Sequence, residues 1–254
     1  MDIILYNIIT AILLVLIGYI FGSIPNGIWI GKVFFHKDVR DYGSGNSGGT
    51  NAGRVFGKKI GLLVIVLDGL KVIVPLYVCW AILTYVPMYN GLPLIPTAID
   101  RFSKDTSEYL ISWPIYWIVV VGSTLGHCFP CFSGFRGGKN VSTLVGFGLS
   151  TSWMFGFIPG IIFLILLKIK KMVSLASITM GITATLFSWI WTILMLTGVI
   201  KGFNSFIPGY GYYLEFGYVH SIMVTFVSAV LIIRHRSNII RIKNGTESKI
   251  KWMK

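Results

Sequence analysis

Between Arg40 and Lys59 the chain reads RDYGSGNSGGTNAGRVFGKK, a polar, basic, glycine-dense stretch set between two long apolar runs. Gly43, Gly45, Gly48, Gly49 and Gly53, five of the six glycines within these twenty residues, are expected to shape a loop rather than to pack a core. Glycine lets a backbone adopt positive φ and approach a ligand closely, and successive amides in such a loop converge into a nest that holds an anion. Ser44, Asn46, Ser47, Thr50 and Asn51 add side-chain donors, and Arg54, Lys58 and Lys59 add positive charge. The chemistry this implies is phosphate binding. A flexible linker, the plainer reading, has no use for Asn, Thr and Arg at such short intervals.

Two further stretches carry groups of the same kind. GHCFPCFSGFRGGKN, from Gly126 to Asn140, offers a second expected nest at Gly137-Gly138, the cation Lys139 and the imidazole of His127. RHRSN, from Arg234 to Asn238, offers Arg234, His235 and Asn238. With Arg40 and Arg54, these groups would make a site for a charged substrate if the fold brings them together. Other residues carry plainer readings. His127 stands beside a proline turn, where a structural role is as good as a catalytic one. His220 reads as an interfacial hydrogen-bonder, and Arg241 as an anchor to anionic headgroups. Cys128 and Cys131 form a CxxC without a second pair. A zinc site takes about four ligands, so no metal and no cofactor is expected.

The elements that must position these groups are membrane helices. Of 254 residues, 54% are hydrophobic and 12% charged, about half the charged share of a soluble chain. The net charge of +13 is not a nucleic-acid footprint, because the basic residues cluster in short loops between apolar segments. A spanning helix needs about 20 mostly apolar residues. Candidates are residues 3–21 (continuing through GSIPNGIWIGKVFF with a bend or a tight interface), 60–86, 113–129, 173–199 and 218–233. The run 141–167, interrupted by Gly156, Pro159 and Gly160, is one kinked helix or a hairpin; charge bias favours the hairpin. Within the second span, Asp68 and Lys71 share a helix face as an intramembrane pair.

The fold expected is therefore an all-α polytopic membrane helix bundle of about seven transmembrane helices, a single unit over residues 1–254. Eighteen basic residues then fall on the side of the three polar stretches, against Arg101, Lys104 and Lys201 on the other. By the positive-inside rule the motif loops and the carboxyl terminus are cytoplasmic and the amino terminus outside.

The residues resemble the bacterial membrane-embedded glycerol-3-phosphate acyltransferases that use acyl phosphate. The resemblance is carried by GSIPNG (Gly22 to Gly27), GSGNSGGTNAGR (Gly43 to Arg54) and LDGLK (Leu67 to Lys71). It continues through GHCFPCFSGFRGGK (Gly126 to Lys139), KMVSLAS (Lys171 to Ser177) and RHRSNIIRIKNGTE (Arg234 to Glu247), in the family's order and across most of the chain. The chain departs from the pattern at Asn140, where a small residue is usual, and at Ser47 and Gly49, where Pro and Ala are usual. The outward loops near residues 87–112 and 198–217 are longer than the family's. His36 and Asp41 form an HxxxxD, a spacing of an unrelated acyl-CoA-dependent family whose other motifs are absent.

What the resemblance implies is acyl transfer from acyl phosphate to the 1-hydroxyl of glycerol 3-phosphate, giving lysophosphatidic acid and inorganic phosphate. The catalytic residues implied are Ser44, Lys139, His235 and Asn238. Substrate contacts are implied for Gly43, Gly45, Asn46, Gly48, Thr50, Asn51, Arg54, Gly137, Gly138, Ser177 and Arg234. Whether His235 is a general base or positions substrate is open. The expected setting is a bacterial cell membrane, with a monomer acting from the cytoplasmic side. A transporter of organic phosphates is the alternative; it would need polar groups along a route to the other face.

Overall fold

The computed structural model describes residues 3–88, 92–95, 111, 114–200 and 217–250. Arg101, Lys104 and Lys201 and most of the two longer loops lie outside the described residues. The described part is an all-helical bundle. Helices α1 (Ile3–Gly22) and α2 (Asn26–Phe35) are separated by the Ser23-Ile24-Pro25 break and together make one candidate span, with Gly22 and Gly27 set tightly against neighbouring backbone. A short α3 (Gly49–Phe56) leads into the long α4 (Lys58–Tyr85). A 3-10 turn at Ile115–Ile118 opens α5 (Val119–Cys128). Then come α6 (Val141–Thr151), α7 (Trp153–Lys170), α8 (Val173–Leu196), α9 (Gly217–Arg234) and α10 (Arg236–Lys243).

Among the described residues, five helices are long and apolar enough to cross a membrane, and α9 with α10, bent by 58° between them, makes a sixth candidate. The run 141–167 is a hairpin. Its break falls at Ser152, not at the Gly156-Pro159-Gly160 interruption, because Ser152 is extended and its hydroxyl accepts the Met154 amide to cap α7. With 11 residues, α6 reaches about 16 Å, roughly half the thickness of a hydrocarbon core. Five or six candidate spans and one half-length helix among the described residues stand beside the expectation of about seven transmembrane helices.

Close backbone packing organises the bundle. In lipid there is little hydrophobic drive between helices, so small residues that let backbones touch become the adhesive. Gly18 and Gly22 of α1 meet the backbone of Val119 and Ser123 on α5, and Gly122 and Gly126 of α5 meet the backbone of Val15 and Tyr19. The two small-residue ridges interlock. Around this pair the core collects Trp117, Phe147, Leu76, Met180 and Leu231, while Ile8, Ile12, Leu16 and Ile20 of α1 point outward. His220 belongs to this core and not to an interface. It is 1% exposed, ringed by Trp117, Phe147 and Phe155, and its Nε2 lies 3.2 Å from Thr151 Oγ1 at the hairpin tip.

Replacing Gly122 by Leu should therefore separate α1 from α5. Overpacking costs about 1–3 kcal/mol when side chains can yield, and here the wall is backbone. A loss of several degrees in melting temperature is expected in detergent, whereas Leu13→Ala on the exposed side should change it little; equal effects would refute the interlock.

Candidate active site

Each polar stretch folds for its own reason, and side-chain hydrogen bonds then join them at one end of the bundle. The first is built around Asn51, a buried residue in the first turn of α3. Its Oδ1 accepts the Ser44 amide at 2.8 Å. Its Nδ2 donates to the carbonyls of Val39, Tyr42 and Asn46 at 2.8, 3.0 and 2.9 Å. Asn46 Oδ1 in turn accepts the Gly48 amide at 2.8 Å. Gly43 and Gly45 make the two left-handed bends of the loop, with φ of 62° and 69°. The amides of Ser44 and Gly48 are thus occupied, and what the loop offers an anion is the opening turn of α3, where a helix start leaves amides without partners inside the helix.

Two of the five glycines pack after all. Gly49 and Gly53 are helical, and a Cβ at Gly49 would strike Ile65 and Gly61 of α4, while Gly53 and Gly61 nearly touch. Gly49, one of the departures noted above, thereby presses α3 onto α4.

The second stretch is corrected more strongly. The Gly138 amide donates to the His127 carbonyl at 2.9 Å and the Gly137 amide to the Cys128 carbonyl at 3.3 Å. Neither is free for an anion, so the expected nest at Gly137-Gly138 is not one. The His127 ring occupies the space a Cβ on Gly138 would need, and the carbonyls of Gly137 and Gly138 accept from Arg234 at 3.3 and 3.2 Å. These three residues fasten the third stretch to the second rather than lining the site. Asn140 ends the segment in the left-handed conformation (φ 65°), which asparagine tolerates. It also binds the Val227 carbonyl of α9 at 2.9 Å and accepts from Thr143. The departure at Asn140 is a cross-link. Arg40 adds another, binding Asp38 Oδ2 at 2.8 Å and the Ser133 carbonyl at 2.9 Å. That bond holds the Asp38 carboxyl below the usual aspartate pKa.

The cavity so enclosed has a volume of about 390 Å³. Its polar end is lined by Ser44, Asn46, Gly48, Thr50, Asn51, Arg54, Lys139, Ser177, His235 and Asn238, so most of the residues singled out above meet in one place. Gly43, Gly45, Gly137, Gly138 and Arg234 do not line it. The other end runs between α6, α7 and α8 past Val145, Leu149, Phe157, Ile161, Leu164 and Met180, an apolar groove.

The sequence reading gave no role to the residue that locks the polar end. Glu247, beyond α10, accepts from Ser174 at 2.6 Å and Asn238 at 2.8 Å on Oε1, and from Arg241 at 2.8 Å on Oε2. Burial would raise its pKa, but these three donors outweigh burial and hold it below the usual glutamate value. Asn238 passes the link on by accepting from Lys139 Nζ at 2.7 Å. Arg241 therefore works inside the site and is not the headgroup anchor expected above. The only signal in the sequence was the NGTE that closes the third stretch. Lys139 is drawn below the ordinary lysine pKa by burial first and by the charge of Arg241 next.

His235 sits in the turn between α9 and α10, buried, with Nδ1 2.8 Å from the Leu231 carbonyl. A carbonyl only accepts, so Nδ1 carries the proton and Nε2 the lone pair. Burial pushes its pKa down to about 4. Behind the site, Asp68 Oδ1 accepts from Lys71 at 2.8 Å and from Asn26 at 3.1 Å, so the expected pair forms and gains a partner. His36 is exposed at the left-handed end of α2. Cys128 is buried and Cys131 exposed.

The loop's dependence on Asn51 is open to measurement. Asn51→Asp keeps the shape and the acceptor for Ser44 but replaces three donations with a carboxylate set against carbonyls; each unpaired buried group costs about 1–3 kcal/mol. Tryptic cleavage at Arg40 or Arg54 should become at least tenfold faster in folded protein, and an unchanged rate would show the loop to be held otherwise.

Known proteins resemble this chain along most of its length. Residues 12–245 match the family described as glycerol-3-phosphate acyltransferase. A glycerol-3-phosphate acyltransferase of Listeria monocytogenes is 35% identical over 249 residues, covering 96% of this chain and 99% of its own length. Those of Enterococcus faecalis and Staphylococcus aureus are 35% and 36% identical, covering 95% of this chain and 92% and 98% of their own. Among solved structures, PlsY (YgiH), an integral membrane glycerol 3-phosphate acyltransferase, is similar in its glycerol 3-phosphate form. The TM-score is 0.66, with 32% identity over 94% of this chain and 95% of that one. Its lysophosphatidic acid form gives a TM-score of 0.64. The chain belongs to the glycerol-3-phosphate acyltransferase family.

Proposed function

We infer that the protein transfers a fatty acyl group from acyl phosphate to the 1-hydroxyl of glycerol 3-phosphate, releasing lysophosphatidic acid and inorganic phosphate. One observation carries this reading above the others: a cavity rich in cations and hydroxyls runs without interruption into an apolar groove. A phosphate head with a fatty tail asks for that combination. The glycerol 3-phosphate and lysophosphatidic acid forms of the solved relative support the same acceptor and product.

Both substrates are anions, and Arg54, Lys139 and Arg241 all line the cavity, where burial first and the charge of Arg241 next depress the Lys139 pKa. Such mutual repulsion is relieved when phosphates bind between them. The opening turn of α3, with Ser44 and Lys139, takes the donor phosphate, and Arg54, His235 and Asn238 position glycerol 3-phosphate. The hydroxyl oxygen attacks the acyl carbon, the bond from that carbon to the phosphate oxygen breaks, and phosphate leaves with the electron pair. Lys139 and the α3 start stabilise the charge that develops. A histidine with a pKa of about 4 is a weak base, so His235 Nε2 orients the hydroxyl by accepting its hydrogen bond. The proton goes to a phosphate oxygen.

No metal is required by this chemistry, because an acyl phosphate is already activated and the cations with the α3 start supply the charge stabilisation. The basic bias supports a cytoplasmic position for this end of the bundle in a bacterial cell membrane. A transporter is disfavoured, since the three polar stretches gather at one end.

Two measurements test the reading. Detergent-purified protein is given glycerol 3-phosphate with palmitoyl phosphate or palmitoyl-CoA, with and without a chelator. Lysophosphatidic acid should form from the acyl phosphate alone and survive chelation; comparable activity with the thioester would overturn the donor. In the same assay Arg54→Ala and Lys139→Ala should lose roughly 30- to 1000-fold, the effect of about 2–4 kcal/mol in a partly desolvated site.

The pH profile gives the second measurement. The Lys139 ammonium is fully present below its depressed pKa and is lost as pH rises through it. Turnover should therefore fall at a pH below the ordinary lysine range, and Lys139→Arg should move that fall upward. With His235 neutral from about pH 5, its protonation should contribute no acid limb above that point.

A further inference from the structure

The apolar groove contains one position where the fold leaves room that nothing fills. On α7, Gly156 and Gly160 stand one turn apart, and both line the cavity. They differ in what lies above them. A Cβ at Gly156 would strike the Leu149 side chain and backbone, so that space is already used by α6. A Cβ at Gly160 would meet no atom within 4 Å. Since Gly160 lines the cavity, the empty space above it is the groove itself.

The register of the hairpin fixes how deep this lies. Leu149 packs on Gly156, and α6 and α7 run antiparallel, so Val145 is level with Gly160. At 1.5 Å per residue, Gly160 lies about 6 Å and Gly156 about 12 Å beyond Val141, where the groove leaves the polar end. Phe157, Ile161 and Leu164 are 56%, 52% and 55% exposed, so this wall is open to lipid along its outer edge. A chain lying in the groove passes Gly160 before it reaches Leu149.

We propose that Gly160 determines the enzyme's acyl-chain preference. The bare glycine lets a long chain continue straight to the Leu149-Gly156 floor, whereas a side chain there would end the enclosed segment half-way along. The proposal rests on the acyl-donor reading above and adds to it the residue that measures the donor. Carbons that a side chain turns aside lose their close packing against the groove walls, so the loss should appear directly in the discrimination between long and short donors.

The experiment compares kcat/KM for palmitoyl phosphate and octanoyl phosphate in wild type, Gly160→Ala, Gly160→Leu and Ile165→Ala. Ile165 is a lipid-facing residue of α7 that does not line the cavity. The palmitoyl-to-octanoyl ratio should fall about fourfold in Gly160→Ala and at least tenfold in Gly160→Leu, with no change in Ile165→Ala. If Gly160→Leu does not fold, the Ala variant, which adds one methyl group to open space, decides the question. Equal losses with both donors, or an unchanged ratio, would overturn the proposal while leaving the reaction intact. If wild type instead uses the thioesters, the donor assignment fails and the same ratio is read with palmitoyl-CoA and octanoyl-CoA. If it acylates glycerol 3-phosphate from neither class, the groove takes no acyl chain and both readings fall together.

Discussion

The constraint on which this structure depends is that a buried polar side chain at the end of a membrane bundle costs stability unless it has a partner before a substrate arrives. Asn238 shows how that is met. It accepts from Lys139 at 2.7 Å and donates to Glu247 at 2.8 Å, so one side chain ties the second stretch to the end of the third. A carboxylate beside phosphate sites would repel substrate if it stood alone. Glu247 is engaged by Ser174, Asn238 and Arg241, so its charge is spent on order. Lys139 keeps its charge but loses its freedom, which preorganises the site.

The same economy governs the backbone. Arg234 gives its guanidinium to the carbonyls of Gly137 and Gly138, and Arg40 reaches Ser133. Two of the most conspicuous cations thus hold loops together, leaving Arg54, Lys139 and Arg241 around the cavity. Glycine works in parallel. At α1 against α5 and at α3 against α4 it removes the side chain so that backbones meet, which fixes the level at which each loop emerges.

Much of this was legible in the chain, and the limits have physical causes. Apolar run lengths and charge bias reveal the bundle, because lipid leaves few ways to satisfy a backbone. They do not reveal that α6 stops half-way, since a serine cap inside an apolar run carries little weight beside Gly156, Pro159 and Gly160. Residue types pointed to a phosphate site and named most of the residues that line the cavity's polar end. They could not say which amides stay free: Gly137 and Gly138 look like a nest until the carbonyls of His127 and Cys128 take their hydrogens. Arg241 and Glu247 are six residues apart on a basic tail, and only the turn after α10 turns them into a pair. Gly160 stands out in the chain only as an interruption of an apolar run, yet it lies within α7 with open space above it.

The open edge of the groove along Phe157, Ile161 and Leu164 has a consequence for how substrate supply is counted. A fatty donor in the bilayer can slide in sideways and its product can leave the same way, without either tail crossing water. What the groove samples is then the number of donor molecules per area of leaflet, a two-dimensional density, while the head group's partner arrives from bulk solution in three dimensions. Diluting the aqueous phase would starve the site of one substrate only. Adding lipid or detergent would dilute the other at constant total amount.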